Sequence, residues 1–542
     1  MGALTSSRAR GSRTSLAQKG EDMRRTRYDR EALLFRRQFI LGPRFLDGFP
    51  TWKRLSVRPS LRITAHPDLP VHEARNGNQS VVLLGYILDP HTPRASDGDI
   101  VRRLLARLAA GQTPEAFIQS TDPFGGRWIL IVDSGSSVWL FNDPVGYRQV
   151  FYSNSSAHGL WCASQTGILA ETLGLEPDPE ARAFIRSCQR QDPQYWWPGD
   201  SSLYSEVHHL LPNHSLDLLA GMVRRFWPDR KLSVRTPEEV LAENAALLRG
   251  LVESASHRFD LALTITAGKD TRLLLAASKA IRDRIYYFTM MFWDLTWNSP
   301  DIQVPSKLLP RLGLTHQVIP CPSRMDREFR EVYRRNVPSA HDVYGAQALG
   351  LHRAYPGNRV CMKGTAIPAT SHVNVLRTWL KDEGGEMNPE SLARVMKRWV
   401  GFPGPEEEFG LRALDRWLAG ADGRNLDLLD LFYWENREGN WAAMIDSEWD
   451  LVQEVFVPFD CRLFLTNMLS VPEEERAFPA CALQRELTRR MWPEVLEEPI
   501  NPPVPRTLAS TGRELLKRPG RKDLDWLYKR TIVAWRNKGG PS

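Results

Sequence analysis

The alternation of apolar and polar positions divides the chain into a strand-rich first part and a second part in which strands and helices alternate. In the first part, residues 80–89 form an apolar run of β-forming residues that ends at turn-forming residues, which predicts a strand. Segment 97–111 has apolar residues at helical spacing, an acidic start and a closing glycine, which predicts a helix. Two apolar runs, 126–133 and 138–142, are joined by a short polar link and predict an antiparallel hairpin.

The second part begins with a helical pattern at 238–252 and continues with a strand, a polar turn and a helix. Residues 259–265 form a buried-strand type of run, residues 266–271 are small and polar, and residues 272–279 favour a helix. This order of elements predicts a phosphate cradle, because the start of a helix presents free N–H groups and a partial positive charge.

Gly268 and Lys269 suggest a Walker A loop, but the rest of that pattern is missing. The pattern needs glycine at position 263 and serine or threonine at position 270, where this chain has Leu263 and Asp270. The Walker interpretation is therefore excluded.

The turn instead resembles the pyrophosphate loop SGGxDS of the asparagine synthetase family. The residues that correspond to this motif are Thr266, Ala267, Gly268, Lys269, Asp270 and Thr271. Both hydroxyl positions are kept, and Ala267 replaces a glycine. The resemblance implies that hydroxyl and N–H groups bind the phosphates of ATP, and that Asp270 binds Mg²⁺.

Further segments resemble the same family in the same order along the chain. In the second part they are a strand at 285–291 whose backbone would face adenine near Thr289, a helix start with Asp301, and a "PFLD"-like segment at 456–462. In the first part, landmarks of the family's glutaminase domain are found at 125–133, 142–152 and 163–165. The resemblance covers roughly residues 35–505.

Two departures from the family change the expected chemistry. The family's glutaminase uses an N-terminal cysteine, whereas the first cysteine here is Cys162, so we expect no glutamine hydrolysis and nitrogen from ammonia or an amine. The segment 360–372 keeps Gly364 but lacks the family's second metal-binding acid. Metal binding would then rest on Asp270 and the phosphates, or would recruit Asp294 or Asp301. Lys363 would either neutralise charge or be a solvated lysine.

Two tryptophan-rich stretches complete the set of candidate residues. Residues 292–297 either line an acceptor pocket or pack in the core, whereas core packing is favoured for 433–441. Within the second stretch, Glu435 and Arg437 are candidate catalytic residues, because an arginine beside an adenylate site stabilises departing charge.

Charge and composition limit the classes of partner. The chain has 71 basic and 64 acidic residues, and five of its seven net positive charges lie in residues 1–30, so the nearly neutral remainder argues against a nucleic-acid substrate. No apolar stretch is long enough for a membrane helix. The six cysteines form no CxxC pair, which argues against a zinc site, and without a signal peptide reduced cysteines predict a cytoplasmic protein.

These observations together predict an α/β enzyme with two main domains. We expect a disordered basic tail at 1–34, an antiparallel β-rich, glutaminase-like domain at 35–236, a doubly wound parallel-sheet ATP-pyrophosphatase domain at 237–505, and a helical extension at 506–542. The resemblance implies an ATP- and Mg²⁺-dependent carbon–nitrogen ligase that adenylates a small-molecule or peptide carboxylate and joins it to an amine or ammonia. A non-catalytic nucleotide- or partner-binding relative, a pyrophosphatase acting on a base or a sulfur carrier, and a homodimer all stay open.

Overall fold

The computed structural model describes residues 28–503. Its first part is built mainly from strands, as the apolar pattern predicts. The elements of this part are α1 (Arg30–Leu33), β1 (Phe39–Gly42), β2 (Lys53–Arg58), β3 (Leu61–Ala65), β4 (Val71–Asn76), β5 (Gln79–Leu88), α2 (Asp97–Ala109), α3 (Pro114–Gln119), β6 (Gly125–Asp133), β7 (Val138–Asn142), β8 (Phe151–Ser155), β9 (Gly159–Ala163), α4 (Thr166–Leu173), α5 (Pro179–Gln191), β10 (His208–His209), β11 (His214–Asp217) and β12 (Met222–Arg225).

These strands form two antiparallel six-stranded sheets, with orders β10-β8-β9-β1-β3-β2 and β12-β11-β7-β6-β5-β4. Strand β5 is buried on both faces. Val82 and Leu84 pack between the two sheets, whereas Val81 and Leu83 pack under α2. A strand covered on both sides needs apolar residues at consecutive positions, which explains the uninterrupted run in the sequence.

The second part alternates helices with short parallel strands. Its elements are α6 (Pro237–Arg258), β13 (Leu261–Thr264), α7 (Lys269–Ala277), a 3₁₀ helix (Lys279–Arg284), β14 (Tyr286–Met291), α8 (Pro300–Arg311), β15 (His316–Pro320), α9 (Arg327–Asn336), α10 (Asp342–Ala354), β16 (Val360–Met362), a 3₁₀ helix (Ile367–Thr370), α11 (Val373–Asp382), α12 (Pro389–Val400), α13 (Glu408–Ala419), α14 (Leu428–Phe432), a π-helix (Tyr433–Ala442), α15 (Ala443–Glu448), β17 (Glu454–Phe456), α16 (Arg462–Ser470), α17 (Glu473–Arg476), α18 (Ala482–Met491) and a 3₁₀ helix (Pro493–Leu496).

The five strands of the second part pair in parallel in the order β15-β14-β13-β16-β17. The chain therefore builds outward from β13 in one direction, then returns and builds from β16 in the other. This is the doubly wound arrangement, so the α/β fold class predicted from the sequence is confirmed. In such sheets, ligands bind beyond the carboxyl ends of the strands where the order reverses. Here that point lies between β13 and β16.

The predicted disordered tail is wrong at its C-terminal end. Residues Arg30–Leu33 form a helix, and Leu33 is buried, with its carbonyl oxygen accepting a hydrogen bond of 3.1 Å from Asn336 Nδ2. Residues 1–27 and the predicted extension at 506–542 lie outside the described residues. The domain boundary predicted at residues 236 and 237 stays a prediction; Thr236 caps the start of α6. No helix within residues 28–503 is both long and apolar enough to cross a membrane.

A buried cluster of charges joins the two parts. Arg127 on β6 donates from Nη2 to Asp450 at 3.0 Å, and Arg148 donates from Nη2 to Glu454 at 3.0 Å. Arg37 lies 3.2 Å from Glu454. Burial opposes ionisation of Glu454, yet the three guanidinium groups hold its pKa at about 2. Since buried charges are costly unless paired, each part depends on the other for its counter-ions.

Gly250 marks a close contact between the same two parts. A Cβ at this position in α6 would lie 2.3 Å from the carbonyl oxygen of Pro90. Alanine normally favours a helix over glycine, but here the methyl group would force the backbones apart. We expect Gly250→Ala to lower the free energy of unfolding by about 1–3 kcal/mol in urea unfolding. Gly420→Ala is the control, since its Cβ would lie no closer than 3.7 Å to any atom, and a more stable Gly250→Ala protein would contradict the expectation.

Candidate active site

The turn between β13 and α7 is closed by its own hydroxyl groups. Thr271 Oγ1 accepts a hydrogen bond of 3.2 Å from the Thr266 N–H, and Thr266 Oγ1 accepts one of 3.0 Å from the Gly268 N–H. Gly268 is the N-cap of α7, and no side chain caps this helix start. The geometry leaves N–H groups at a helix start available for an anion, which is the arrangement that binds phosphate.

A cavity of about 300 Å³ lies at the carboxyl ends of β13, β14 and β16, where the strand order reverses. It contains most of the residues that the sequence singles out. Of the twelve predicted site residues, the eight that line it are Thr266, Gly268, Asp270, Thr271, Thr289, Asp301, Lys363 and Gly364. The structure therefore brings together residues that are up to 98 positions apart in the sequence.

The wall opposite the turn carries a buried ion pair that sequence reasoning did not identify. Lys363 follows β16, and its Nζ donates to Asp446 Oδ1 at 2.5 Å. The same ammonium group lies 3.6 Å from the centre of the Trp449 ring. Asp446 is 2% exposed and lines the cavity, and its Oδ2 has no hydrogen-bond partner. Lys363 is thus a paired group in the cavity wall, not a solvated lysine.

Gly364 permits the close approach of the two walls. A Cβ on this residue would lie 3.1 Å from the Cβ of Asp270 and 3.3 Å from the backbone nitrogen of Thr271. The segment after β16 therefore passes directly against the start of α7. A larger residue at Gly364 would push the lysine away from the phosphate turn.

An acid does reach the segment 360–372, but it comes from a distant part of the chain. Glu438, in the π-helix, accepts a hydrogen bond of 3.1 Å from the Ala366 N–H, and Ala366 has a φ of +72°. Burial raises the pKa of Glu438 to about 7, against an ordinary value of 4.5, and the nearby charge of Asp270 acts in the same direction. We therefore expect this carboxyl group to change its charge near neutral pH.

Glu435 does not reach the cavity, which argues against its predicted catalytic role. It is fully buried and accepts hydrogen bonds from Asn213 Nδ2 at 3.0 Å and Trp417 Nε1 at 2.8 Å, and it forms an ion pair with Arg225. Its carboxylate is fully engaged in joining the two parts of the protein. Asn213, like Arg225, belongs to the first part, so the interaction is structural.

Arg437 also lies away from the lining of the cavity. Its guanidinium lies 3.4 Å from the ring centre of Trp441, 4.7 Å from that of Trp196 and 5.2 Å from that of Trp399. Burial lowers its pKa from the ordinary value. These contacts do not support the predicted role beside an adenylate. Trp434 is fully buried, so the core packing expected for this stretch is confirmed at that residue.

Ala267, Lys269, Thr289 and Asp301 make further contacts around the turn. The Ala267 N–H donates to Asp301 Oδ1 at 3.0 Å, and Lys269 turns toward the Phe478 ring at 5.8 Å. Thr289 Oγ1 donates to the Ile265 carbonyl oxygen at 2.5 Å and lies 2.8 Å from His316 Nε2. The hydroxyl of Thr289 is therefore engaged with its neighbours in the sheet.

The predicted metal ligands Asp270 and Asp301 both line the cavity. Asp270 accepts a hydrogen bond of 2.6 Å from Gln484 Nε2, so its carboxylate is held in place. Within residues 28–503, no group of three or more histidine, cysteine or acidic side chains is arranged to hold a metal ion. Two carboxylates fit Mg²⁺ only with phosphate oxygens as further ligands, which is how proteins commonly bind Mg²⁺.

Stability between pH 5 and 8 tests the titration of Glu438. Because its pKa is raised in the folded state, its stabilising contribution is complete below pH 4.5 and is lost as the pH rises through about 7. We expect the free energy of unfolding of Glu438→Gln to vary less with pH than that of the parent protein, and to exceed it at pH 8. Urea unfolding of both proteins at pH 5 and at pH 8 measures this. Equal pH dependence in the two proteins would show that Glu438 ionises normally.

Comparison with known proteins gives only remote likenesses. No family model and no curated protein matches the chain. Among solved structures, NMN synthetase from Francisella tularensis is 12% identical over 38% of this chain and 94% of that chain, with a TM-score of 0.19. The NH₃-dependent NAD synthetase from Campylobacter jejuni is 11% identical over 38% and 96%, with a TM-score of 0.19. Glutamine PRPP amidotransferase from B. subtilis is 14% identical over 53% and 66%, with a TM-score of 0.22. Likenesses this weak carry no argument, so the interpretation of the site rests on its geometry.

Proposed function

We propose that this protein is an ATP-dependent ligase that adenylates a carboxylic acid and joins the acyl group to an amine or to ammonia. One observation carries the proposal: a phosphate-type turn and a buried ion pair line the same cavity. The phosphate-type turn Thr266–Thr271 faces the Lys363–Asp446 pair at the point where the strand order reverses.

The turn would hold the phosphates of ATP through N–H groups and hydroxyls. Asp270 and Asp301 would hold Mg²⁺, which supplies charge neutralisation between phosphate oxygens when it is bound. Lys363 lies on the other side and would stabilise negative charge as a carboxylate oxygen attacks the α-phosphorus and pyrophosphate leaves. The products of this first step are an acyl-adenylate and pyrophosphate.

The second step joins the amine to the activated acyl group. The amine nitrogen attacks the acyl carbon, AMP leaves with the bonding electron pair, and the nitrogen gives up one proton. Asp446 would accept that proton, because the residue lines the cavity and its Oδ2, although buried, has no hydrogen-bond partner of its own. Holding both reactants in one cavity turns their encounter into an effectively intramolecular reaction.

Glutamine is not expected to be the nitrogen source. Burial raises the pKa of all six cysteine thiols, so none of them is an activated thiolate of the kind that attacks an amide. We expect the purified protein to release ammonia only at the background rate when glutamine is present at about 10 mM, a concentration above a typical KM. Ammonia release above background would contradict this expectation, and its loss or survival in Cys162→Ala would show whether that thiol is the nucleophile.

The proposal is tested by ATP–pyrophosphate exchange over a panel of carboxylic acids, followed by amide formation with ammonia and simple amines. Exchange that depends on the acid supports adenylation, since the label enters ATP only through reversal of that step. Saturable ATP binding without exchange for any acid would instead support the non-catalytic alternative.

A further inference from the structure

A short segment at the mouth of the cavity exposes two large aromatic side chains. Residues 292–298 follow β14 at its carboxyl end, and Phe292 and Leu295 line the cavity. Trp293 and Trp297, in the same segment, are 48% and 58% exposed. The alternative that this stretch packs in the core is therefore wrong for these two residues. The other large apolar side chains that are exposed within residues 28–503 all precede residue 237.

Two hydrogen bonds restrain the segment, one within it and one from α8. The Leu295 N–H donates to the Phe292 carbonyl oxygen at 3.0 Å, and Gln303 Nε2 donates to the Trp297 carbonyl oxygen at 2.5 Å. Trp293 has a φ of +54°, which is unfavourable for a bulky residue. Exposed tryptophans forgo the stabilisation that burial of their rings would give, and the strained backbone at Trp293 adds a further cost. Both features are typical of binding surfaces.

The size of the cavity indicates what lies on this surface. About 300 Å³ is at the lower end of the range for small-molecule sites, so a nucleotide takes up most of the space. The acyl part of an adenylate must then leave through the mouth once it exceeds a few carbon atoms. Asp294 is the single charged residue of segment 292–298, so the surface there suits an uncharged chain.

We propose that the carboxylic acid substrate carries an extended apolar or aromatic tail, which passes Phe292 and Leu295 and lies on Trp293 and Trp297. This inference rests on the proposed function, because it takes the cavity to hold the adenylate. Its consequence is selectivity: long apolar acids bind better than short ones, and the difference comes from the two exposed rings.

The test compares four acids in ATP–pyrophosphate exchange: acetate, hexanoate, dodecanoate and 6-phenylhexanoate. In the double variant Trp293→Ser/Trp297→Ser, we expect the KM for the two longest acids to rise at least tenfold, with the KM for ATP and the maximal rate unchanged. Met222→Ser is the matched control, since Met222 is 65% exposed on β12 of the first part. An unchanged KM for the long acids would overturn the inference, and the better of the two long acids identifies the tail as alkyl or aromatic.

Hydroxyl-radical footprinting of the full chain separates this inference from the proposed function. We expect dodecanoate or 6-phenylhexanoate with ATP to protect Trp293 and Trp297 from oxidation, whereas acetate with ATP does not. Such protection without exchange for any acid would reject adenylation and keep the apolar binding surface. Rings that are already protected without any acid would be covered by residues 504–542 or by a second copy of the chain, and the inference would be rejected.

Discussion

Replacing Asp270 by asparagine is expected to reduce ATP–pyrophosphate exchange at least 100-fold while leaving the protein folded. Asparagine keeps the shape of the side chain and can still accept the hydrogen bond from Gln484, but it carries no negative charge to hold Mg²⁺ beside the phosphates. Exchange at saturating ATP and acid measures the effect, and the melting temperature checks the fold.

Asp283→Asn provides the matched control for this variant. The Asp283 side chain is 79% exposed on the 3₁₀ helix at Lys279–Arg284, before β14 begins and so at the opposite end of that strand from the cavity. Its replacement should leave exchange at the level of the parent protein. If Asp270→Asn turned over as fast as this control, the interpretation of the turn as a phosphate-binding site would be wrong.

The second large effect is expected at the buried pair Lys363–Asp446. Asp446→Asn should slow amide formation at least 100-fold, because the attacking amine loses its proton acceptor, while exchange stays within a few fold of the parent. Separate measurement of exchange and of amide product distinguishes the two steps. A variant that lost both activities equally would place Asp446 in adenylation and not in acyl transfer.

Unfolding measurements show how much the Lys363–Asp446 pair contributes to the stability of the protein. Asp446→Leu leaves the Lys363 ammonium buried without its partner and should cost about 3–5 kcal/mol of unfolding free energy. In the double variant Lys363→Met/Asp446→Leu neither charge of this pair remains, so most of that loss should be recovered, with no recovery of amide formation. Equal stability of the single and double variants would mean that Lys363 is not desolvated.

The strand–turn–helix at the centre of the site was predictable because its signals are local. A buried parallel strand needs consecutive apolar residues, and the sequence places β13 and the start of α7 within a few residues of their positions in the structure. The resemblance of the turn to a pyrophosphate loop then identified Asp270. Asp301 lies only 31 positions later, at the start of α8, and the same order of segments indicates it.

The opposite wall was not predictable, because its residues meet only through tertiary structure. Asp446 and Glu438 lie in a helical stretch far from β16, and nothing in their local sequence states which face of the helix meets Lys363. For the same reason nothing in the sequence excludes Glu435 and Arg437 from the site, although in the structure their side chains contact other parts of the protein. A ten-residue π-helix shifts the direction of successive side chains relative to an α-helix, so helical spacing does not locate them. The one available signal is Asp446 itself, a charged residue that directly follows the apolar run Ala442–Ile445.

The charge cluster between the two parts limits how this protein can be divided. Asp450 and Glu454 follow Asp446 closely in the chain, and their counter-ions Arg127 and Arg148 belong to the antiparallel part. A gene fragment encoding only the parallel-sheet part would produce these acids without their guanidinium partners, next to the residues that form the cavity wall. Removal of the first part would therefore also remove the counter-ions of Asp450 and Glu454, and an exchange of one part alone would have to supply both sides of the cluster.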